Sequence, residues 1–218
     1  MKLPADLDVT RLDGLVWARE YNRRQLRSVI QFEGVPFRIS DMDVYPALAI
    51  HERVIMSPVL AENNGRYSVG YTETVVPSWA NCYFASGFGV VDKLANRSFV
   101  EDTINHGLRL VIPVHGVAID TARLSFDHRD QWIRSFSERQ GRVDRGTLFG
   151  EGVEQDNVFG PELGRANCRS VGWITDFFSD PVKVKVTPKG SVTLWADVPP
   201  ELFIRFIRME ILPYVTHF

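Results

Sequence analysis

Two cysteines in 218 residues, Cys82 and Cys168, are too few for a disulfide framework, and no CxxC or Cys/His spacing offers a zinc site. A reducing compartment fits that usage. Lysine is scarce as well: only Lys2, Lys93, Lys183, Lys185 and Lys189 interrupt a set of 25 basic residues that is otherwise arginine. No long apolar run is present. The longest uncharged stretch, Thr74 to Val91, contains Pro77, Asn81 and several Gly and Ser, and is too polar to span a bilayer. Met1 to Asp8 lacks the charged-then-apolar pattern of a signal peptide. A net charge of -2 supplies no global field for nucleic acid or a membrane surface. The expectation is a cytoplasmic or virion-interior chain that is not secreted by a signal peptide.

What is present is an ordinary globular composition, 44% hydrophobic and 24% charged. A chain of this length buries a sizeable core without metal or disulfide staples. The arginine excess suits interfaces and anion contacts, because a planar guanidinium desolvates more cheaply than an ammonium.

Local patterns predict a first helix from about Thr10 to Gln31, capped by Asp8 or Thr10. Arg19, Arg23 and Arg27 recur every four residues and would form a basic stripe on one face of that helix, a candidate interface. Val35 to Ile39 reads as a short strand, and Asp43 to Met56 as either a buried helix or strands. Asn63-Asn64-Gly65 is a turn between Ile55–Ala61 and Arg66–Val76, giving a hairpin. A short helix is expected at Trp79–Ser86, closed by Gly87. Ser98 to Glu101 forms a capping box for another helix stopped at Gly107. Leu108–Val114 and Val117–Phe126 read as a second hairpin, and Asp127 to Gly141 as a further helix.

Glycines then punctuate a polar stretch from Gly141 to Gly172. Loops this long inside compact domains are commonly functional. Val182–Val186 and Ser191–Ala196 alternate around Thr187-Pro188-Lys189-Gly190 as a third hairpin. A last helix follows Asp197, with Pro199 and Pro200 at its entry and Leu202, Phe203, Phe206, Ile207 and Ile211 on its buried face. The sum is an α+β fold, antiparallel hairpins packed with about four helices. Its parts are a core over 1–140, a glycine-rich extended loop or interaction arm over 141–172, and a hairpin plus helix over 173–218.

Catalytic motifs are sparse. The five histidines show no HxxxH, HxH or HExxH spacing, and neither a metal nor another cofactor is expected. GxSxG, GxxxxGK[ST] and a complete dinucleotide fingerprint are all missing. His115 and His128, with Asp120 and Asp127 nearby, are the one candidate acid–base group, which would suit a hydrolase-type enzyme.

Two segments resemble known families. Trp79, Tyr83 and Asp92 keep a W-x3-Y-x8-D spacing, followed by Gly107-Leu108-Arg109 and Ile112 to Gly116. This resembles the ligand-binding domain of LuxR-type acyl-homoserine-lactone receptors over about fifty residues, although Lys93 stands where that family has proline. The resemblance implies a small-molecule-sensing domain in which Trp79, Tyr83 and Asp92 line a pocket for an acyl amide. The C-terminal strand and helix ending Ile211-Leu212-Pro213-Tyr214 is similar, over some twenty residues, to a segment of tail-terminator proteins of contractile-tailed phages.

With catalytic motifs missing, the leading expectation is a non-catalytic structural subunit of a larger protein assembly, such as a bacteriophage tail, neck or baseplate. Ordering the glycine-rich stretch costs on the order of 1 kcal/mol or more per residue, which contacts with neighbouring subunits would offset. The interface residues expected on that reading are Arg19, Arg23, Arg27, Gly150, Gly152 and Gly160. Its partners are protein subunits, in a homo- or hetero-oligomer. The sensing domain and the hydrolase are the alternatives.

Overall fold

The computed structural model describes residues 3–91, 143–150, 153–158, 168–186 and 191–214. The chain divides into two compact units, residues 2–119 and 120–218.

The described part of the N-terminal unit is all β. After a single 3-10 turn at Val9–Leu12, six strands follow: β1 (Leu15–Tyr21), β2 (Arg24–Phe32), β3 (Phe37–Ile39), β4 (Met42–Asn63), β5 (Arg66–Ala85) and β6 (Phe88–Val91). They form one antiparallel sheet in the order β1-β2-β4-β5-β6, with β3 paired to the start of β4.

The helix expected over Thr10–Gln31 is therefore a hairpin. Asp8 does act as a cap, but only for the 3-10 turn, where its Oδ1 accepts from the Thr10 backbone N–H at 3.2 Å. Beyond it, Asn22 and Arg23 both take positive φ, 49° and 62°, which two-residue hairpin turns require. Trp17 on β1 and Leu26, Ser28 and Ile30 on β2 are buried, while their sequence neighbours Val16, Ala18 and Arg27 are exposed. That alternation of two belongs to a strand, and it overrides the four-residue recurrence of arginine. The helix expected at Trp79–Ser86 is also strand. Ala80, Cys82 and Phe84 point into the core of β5, while Trp79 and Asn81 point out.

The inner face of the sheet carries Trp17, Leu26, Ile30, Ala47, Ala49, Ala80, Cys82 and Phe84, all buried. Phe32 extends this core by stacking near Tyr45 and Phe84, with ring centroids 5.3 and 6.5 Å away. The N-terminal segment is tied to the β5–β6 turn. Leu3 N–H donates to the Gly87 carbonyl at 3.0 Å, and the Ser86 hydroxyl donates to the Ala5 carbonyl.

In the C-terminal unit, β7 (Val143–Gly150), β8 (Val153–Val158), β9 (Cys168–Thr175), β10 (Val182–Val186) and β11 (Val192–Leu194) form a second antiparallel sheet, ordered β11-β10-β9-β7-β8. Part of the stretch read as a glycine-rich loop is thus paired strand. Val182, Val184, Val186, Trp173 and Thr175 share its buried face. Helix α1 (Pro200–Phe206) continues through a π-helical turn at Ile207–Ile211 and contributes the buried Ile204, Phe206, Ile207 and Ile211. Phe206 meets Trp173, Phe177 and Phe178, with centroids 6.4, 5.3 and 5.3 Å away. Pro200 at the first helical position fits, because its missing N–H would be unpaired there in any case.

The α+β expectation is corrected accordingly: the described residues form antiparallel sheet with one short helix, not a sheet with about four helices. The helices expected at 98–107 and 127–141 and the hairpin at 108–126 lie outside the described residues.

Candidate functional site

The feature that sets the N-terminal unit apart is the hairpin of β4 and β5, 22 and 20 residues long. Its turn is the expected one. Asn64 and Gly65 take φ of 52° and 72°, the left-handed pair that a tight two-residue hairpin needs and that Gly adopts without strain. Register runs unbroken from Val44↔Ala85 to Asn63↔Arg66. Pairing with β2 ends at His51, and pairing with β6 begins at Cys82. From Glu52↔Pro77 to the tip, the hairpin is therefore a two-stranded ribbon among the described residues. At about 3.4 Å per residue it projects roughly 40 Å.

Residues directly opposite each other in antiparallel strands share a face. One face of the ribbon carries Val54, Met56, Pro58 and Leu60 from β4, and Val75, Tyr71, Val69 and Tyr67 from β5. Leu60, Tyr67, Val69 and Tyr71 are 66%, 67%, 63% and 68% exposed. The opposite face carries Arg53, Ser57, Arg66, Ser68, Thr72 and Thr74, interspersed with Ile55, Val59, Ala61 and Val76. The face bearing the tyrosines continues onto the outer surface of the sheet. There Val16, Val29, Ile50 and Trp79 lie in register across four strands, with Val16 51% and Trp79 63% exposed.

Charge on this face is mostly acidic: Glu20, Glu52, Glu62 and Glu73, with Arg27 at its base. Glu73 is paired to Arg24 at 3.2 Å, and Glu52 accepts from the Arg27 backbone N–H at 2.8 Å. Neither Glu62 nor the Arg27 guanidinium has an ion-pair partner among the described residues.

A second polar group lies in the inner face. His51 Nε2 is 3.2 Å from Arg19 Nη2, and Nδ1 is 3.0 Å from Ser28 Oγ. A guanidinium only donates, so Nε2 accepts and the imidazole proton sits on Nδ1, directed at the Ser28 hydroxyl oxygen. Burial, and then the Arg19 charge, lower the His51 pKa to about 4, against a smaller opposing pull from Glu52. Ser28 is buried, and the imidazole donates to it rather than accepting its proton. This arrangement pins three neighbouring strands. It does not present an activated nucleophile.

The expected site residues are scattered. Arg19 belongs to the buried polar group, Arg23 to the β1–β2 turn and Arg27 to the outer face, so no basic stripe forms. Trp79 and Tyr83 share the outer face of β5. Trp79 stands open to solvent rather than enclosing a pocket, and Tyr83 meets Phe37 edge-on at 6.4 Å. Gly150 ends β7, opposite Val153. Asp92, His115, His128, Gly152 and Gly160 lie outside the described residues.

Sequence reasoning missed the apolar face itself. The signal was present as alternation, in Met56-x-Pro58-x-Leu60 and Tyr67-x-Val69-x-Tyr71. No group of three or more metal-ligating side chains occurs among the described residues, and no helix there is long and apolar enough to cross a membrane. No protein-family model matches the chain, and no curated protein or solved structure matches it either.

Proposed function

We propose that the protein is a non-catalytic structural subunit that joins a larger protein assembly through the β4–β5 arm. The concrete setting put forward is a virion tail, neck or baseplate, on the C-terminal resemblance alone. The observation that carries the assembly reading is the arm's exposed apolar face. An isolated two-stranded ribbon is marginal in water, and three or more strands or a packed face are needed to hold one. Monomers rarely expose contiguous apolar patches beyond roughly 300–600 Å² unless the patch binds something. The largest exposed apolar side chains of the ribbon stand on one side, while hydroxyls and arginines are interspersed with Ile55, Val59 and Val76 on the other, and the first side is the one offered for cover.

The test is incorporation. Assemblies isolated from the source organism carrying either the wild-type chain or the Leu60→Asp/Tyr71→Asp chain are compared by native mass, with their components identified. The wild-type chain is expected in a high-mass complex and the variant in the unassembled fraction. A variant that enters the complex as well as wild type does overturns this reading.

A further inference from the structure

We infer that the free edge of β5 is a strand-pairing edge whose occupant is the same edge of a second copy, joined antiparallel about a two-fold axis at Tyr71. This rests on the assembly reading above, which uses the arm's face, and adds a contact along its edge.

Hydrogen-bond phase identifies the edge. A two-residue hairpin loop is closed by a hydrogen-bonded pair, here Asn63↔Arg66, and such pairs alternate along an antiparallel ladder. Even-numbered residues of β4 therefore turn their backbone groups away from β5, as the Pro46 carbonyl does in accepting from the Glu33 N–H at 2.9 Å. Their partners on β5 point the other way. Tyr67, Val69, Tyr71, Glu73 and Val75 each direct an N–H and a C=O outward. β6 pairs with β5 only from Cys82 onward, and no described residue pairs with this edge from Arg66 to Val76.

The two edges of the arm differ. On β4, Pro58 stands at an outward position and has no N–H to offer, and nearer the base Glu52 is already bonded to the Arg27 N–H of β2. The β5 edge has no such guard. Natural proteins blunt long open edges with lysine, proline or a bulge. Arg66 to Val76 contains neither lysine nor proline, its register with β4 is unbroken, and it is rich in Tyr, Val and Thr. An edge kept in that condition along a solvent-exposed ribbon is suited to receive a strand.

The strand also fits itself. A two-fold axis normal to the ribbon at Tyr71 sets Tyr71 opposite Tyr71, Val69 opposite Glu73 and Tyr67 opposite Val75, all at outward positions. Between them, Ser68 meets Thr74 and Gly70 meets Thr72. Aromatic–β-branched and Ser–Thr pairs are favourable neighbours across strands. No like charges stand opposite: the two Glu73 lie roughly 14 Å apart, and each keeps its own Arg24. An axis at a neighbouring residue leaves one end of the run unpaired. The pairing supplies about ten backbone hydrogen bonds, as many as a standard interface carries. It also turns two marginal ribbons into one four-stranded sheet, with both apolar faces on the same side.

The experiment uses the purified full chain, with dissociation followed by analytical ultracentrifugation. Wild type is expected to dimerise with a dissociation constant in the micromolar range or tighter. Val69→Pro removes an outward N–H, leaves the β4–β5 bonds in place and keeps an apolar side chain on the face. It should weaken dimerisation about a hundredfold or more, because the loss occurs twice in the dimer and leaves two facing carbonyls unpaired. Leu60→Pro makes the same change at the paired position on β4 and should leave the dimer within about twofold of wild type, with far-UV circular dichroism retained by both variants. Disulfide trapping reads the register. Tyr71→Cys should give a covalent dimer on oxidation, since Cα atoms in a hydrogen-bonded pair lie about 5.5 Å apart, within disulfide range. Thr74→Cys should not, because its two copies lie roughly 20 Å apart.

A wild-type chain that stays monomeric at about 100 μM overturns the inference. So does a Val69→Pro chain that dimerises as tightly as wild type, or trapping at Thr74→Cys in place of Tyr71→Cys. If Val69→Pro enters the native complex as wild type does while Leu60→Asp/Tyr71→Asp fails to, the edge inference has failed and the assembly reading stands.

Discussion

The same two strands live in two environments. Near their base, β4 and β5 are flanked by β2 and β6, and Ala47, Ala49, Ala80, Cys82 and Phe84 are buried beneath them. Beyond His51, the same pair has no third strand among the described residues, and its largest apolar side chains face solvent. Composition does not separate the halves, because both are rich in Val, Ile, Ala and aromatics. Neighbours do. At the base the chain supplies its own core. On the arm, apolar side chains of the same kinds stand uncovered by any described residue.

That contrast is open to breakage. The largest effect is expected at the base. Phe84→Ala should cost about 3–5 kcal/mol of stability in urea unfolding, through lost burial and the cavity left behind. Tyr71→Ala, on the arm of the monomer, should stay within about 0.5 kcal/mol. Equal losses at the two positions would mean that the arm belongs to the folding core.

The buried histidine gives a pH signature confined to the base. Its folded pKa of about 4 lies below the ordinary value of 6.5. Above 6.5 both folded and unfolded forms hold it neutral. As pH falls toward 4, only the unfolded form takes up the proton, so stability declines across that window and the His51 contribution levels off below it. The full shift corresponds to about 3 kcal/mol. Urea midpoints at pH 7.5 and 4.5, compared with those of His51→Gln, measure it. A variant with the same pH slope as wild type would remove His51 as the cause.

At the tip, Gly65→Val forces a β-branched residue into left-handed φ and should cost about 1–2 kcal/mol locally. Hydrogen exchange should show faster exchange of arm amides while the base amides hold. Smallest of all, Arg24→Ala should remove less than about 1 kcal/mol in thermal melts, because its pair with Glu73 is solvent-accessible.

The parts legible in the sequence were those set by local chemistry. Asn63-Asn64-Gly65 and the alternating Val182–Val186 and Val192–Leu194 strands form where turn residues and period-two patterning placed them. The C-terminal helix starts at its prolines for the same reason. Two errors came from reading period and punctuation against each other. A cap at Asp8 or Thr10 and an imperfect helical spacing of apolar residues suggested a helix, yet Leu15, Trp17, Leu26, Ser28 and Ile30 alternate, and the strand won because β4 lies alongside to bury them. Gly87 after Trp79–Ser86 looked like a helix stop, but it takes φ of 87° in the turn between β5 and β6. The apolar face went unseen because an exposed and a buried alternating strand have the same sequence pattern. Only the missing third layer distinguishes them.

The uninterrupted β4–β5 register also restricts how the arm can change length. Side chains switch sides at each residue, so deleting one matched pair near the base, such as Val54 with Val75, would rotate everything beyond it and turn the tyrosines to the hydroxyl side. Removing two matched pairs restores the original sides and shortens the reach by about 7 Å. Insertions and deletions that keep the tyrosines aligned with the sheet's outer face therefore come in double steps, whatever the residues involved.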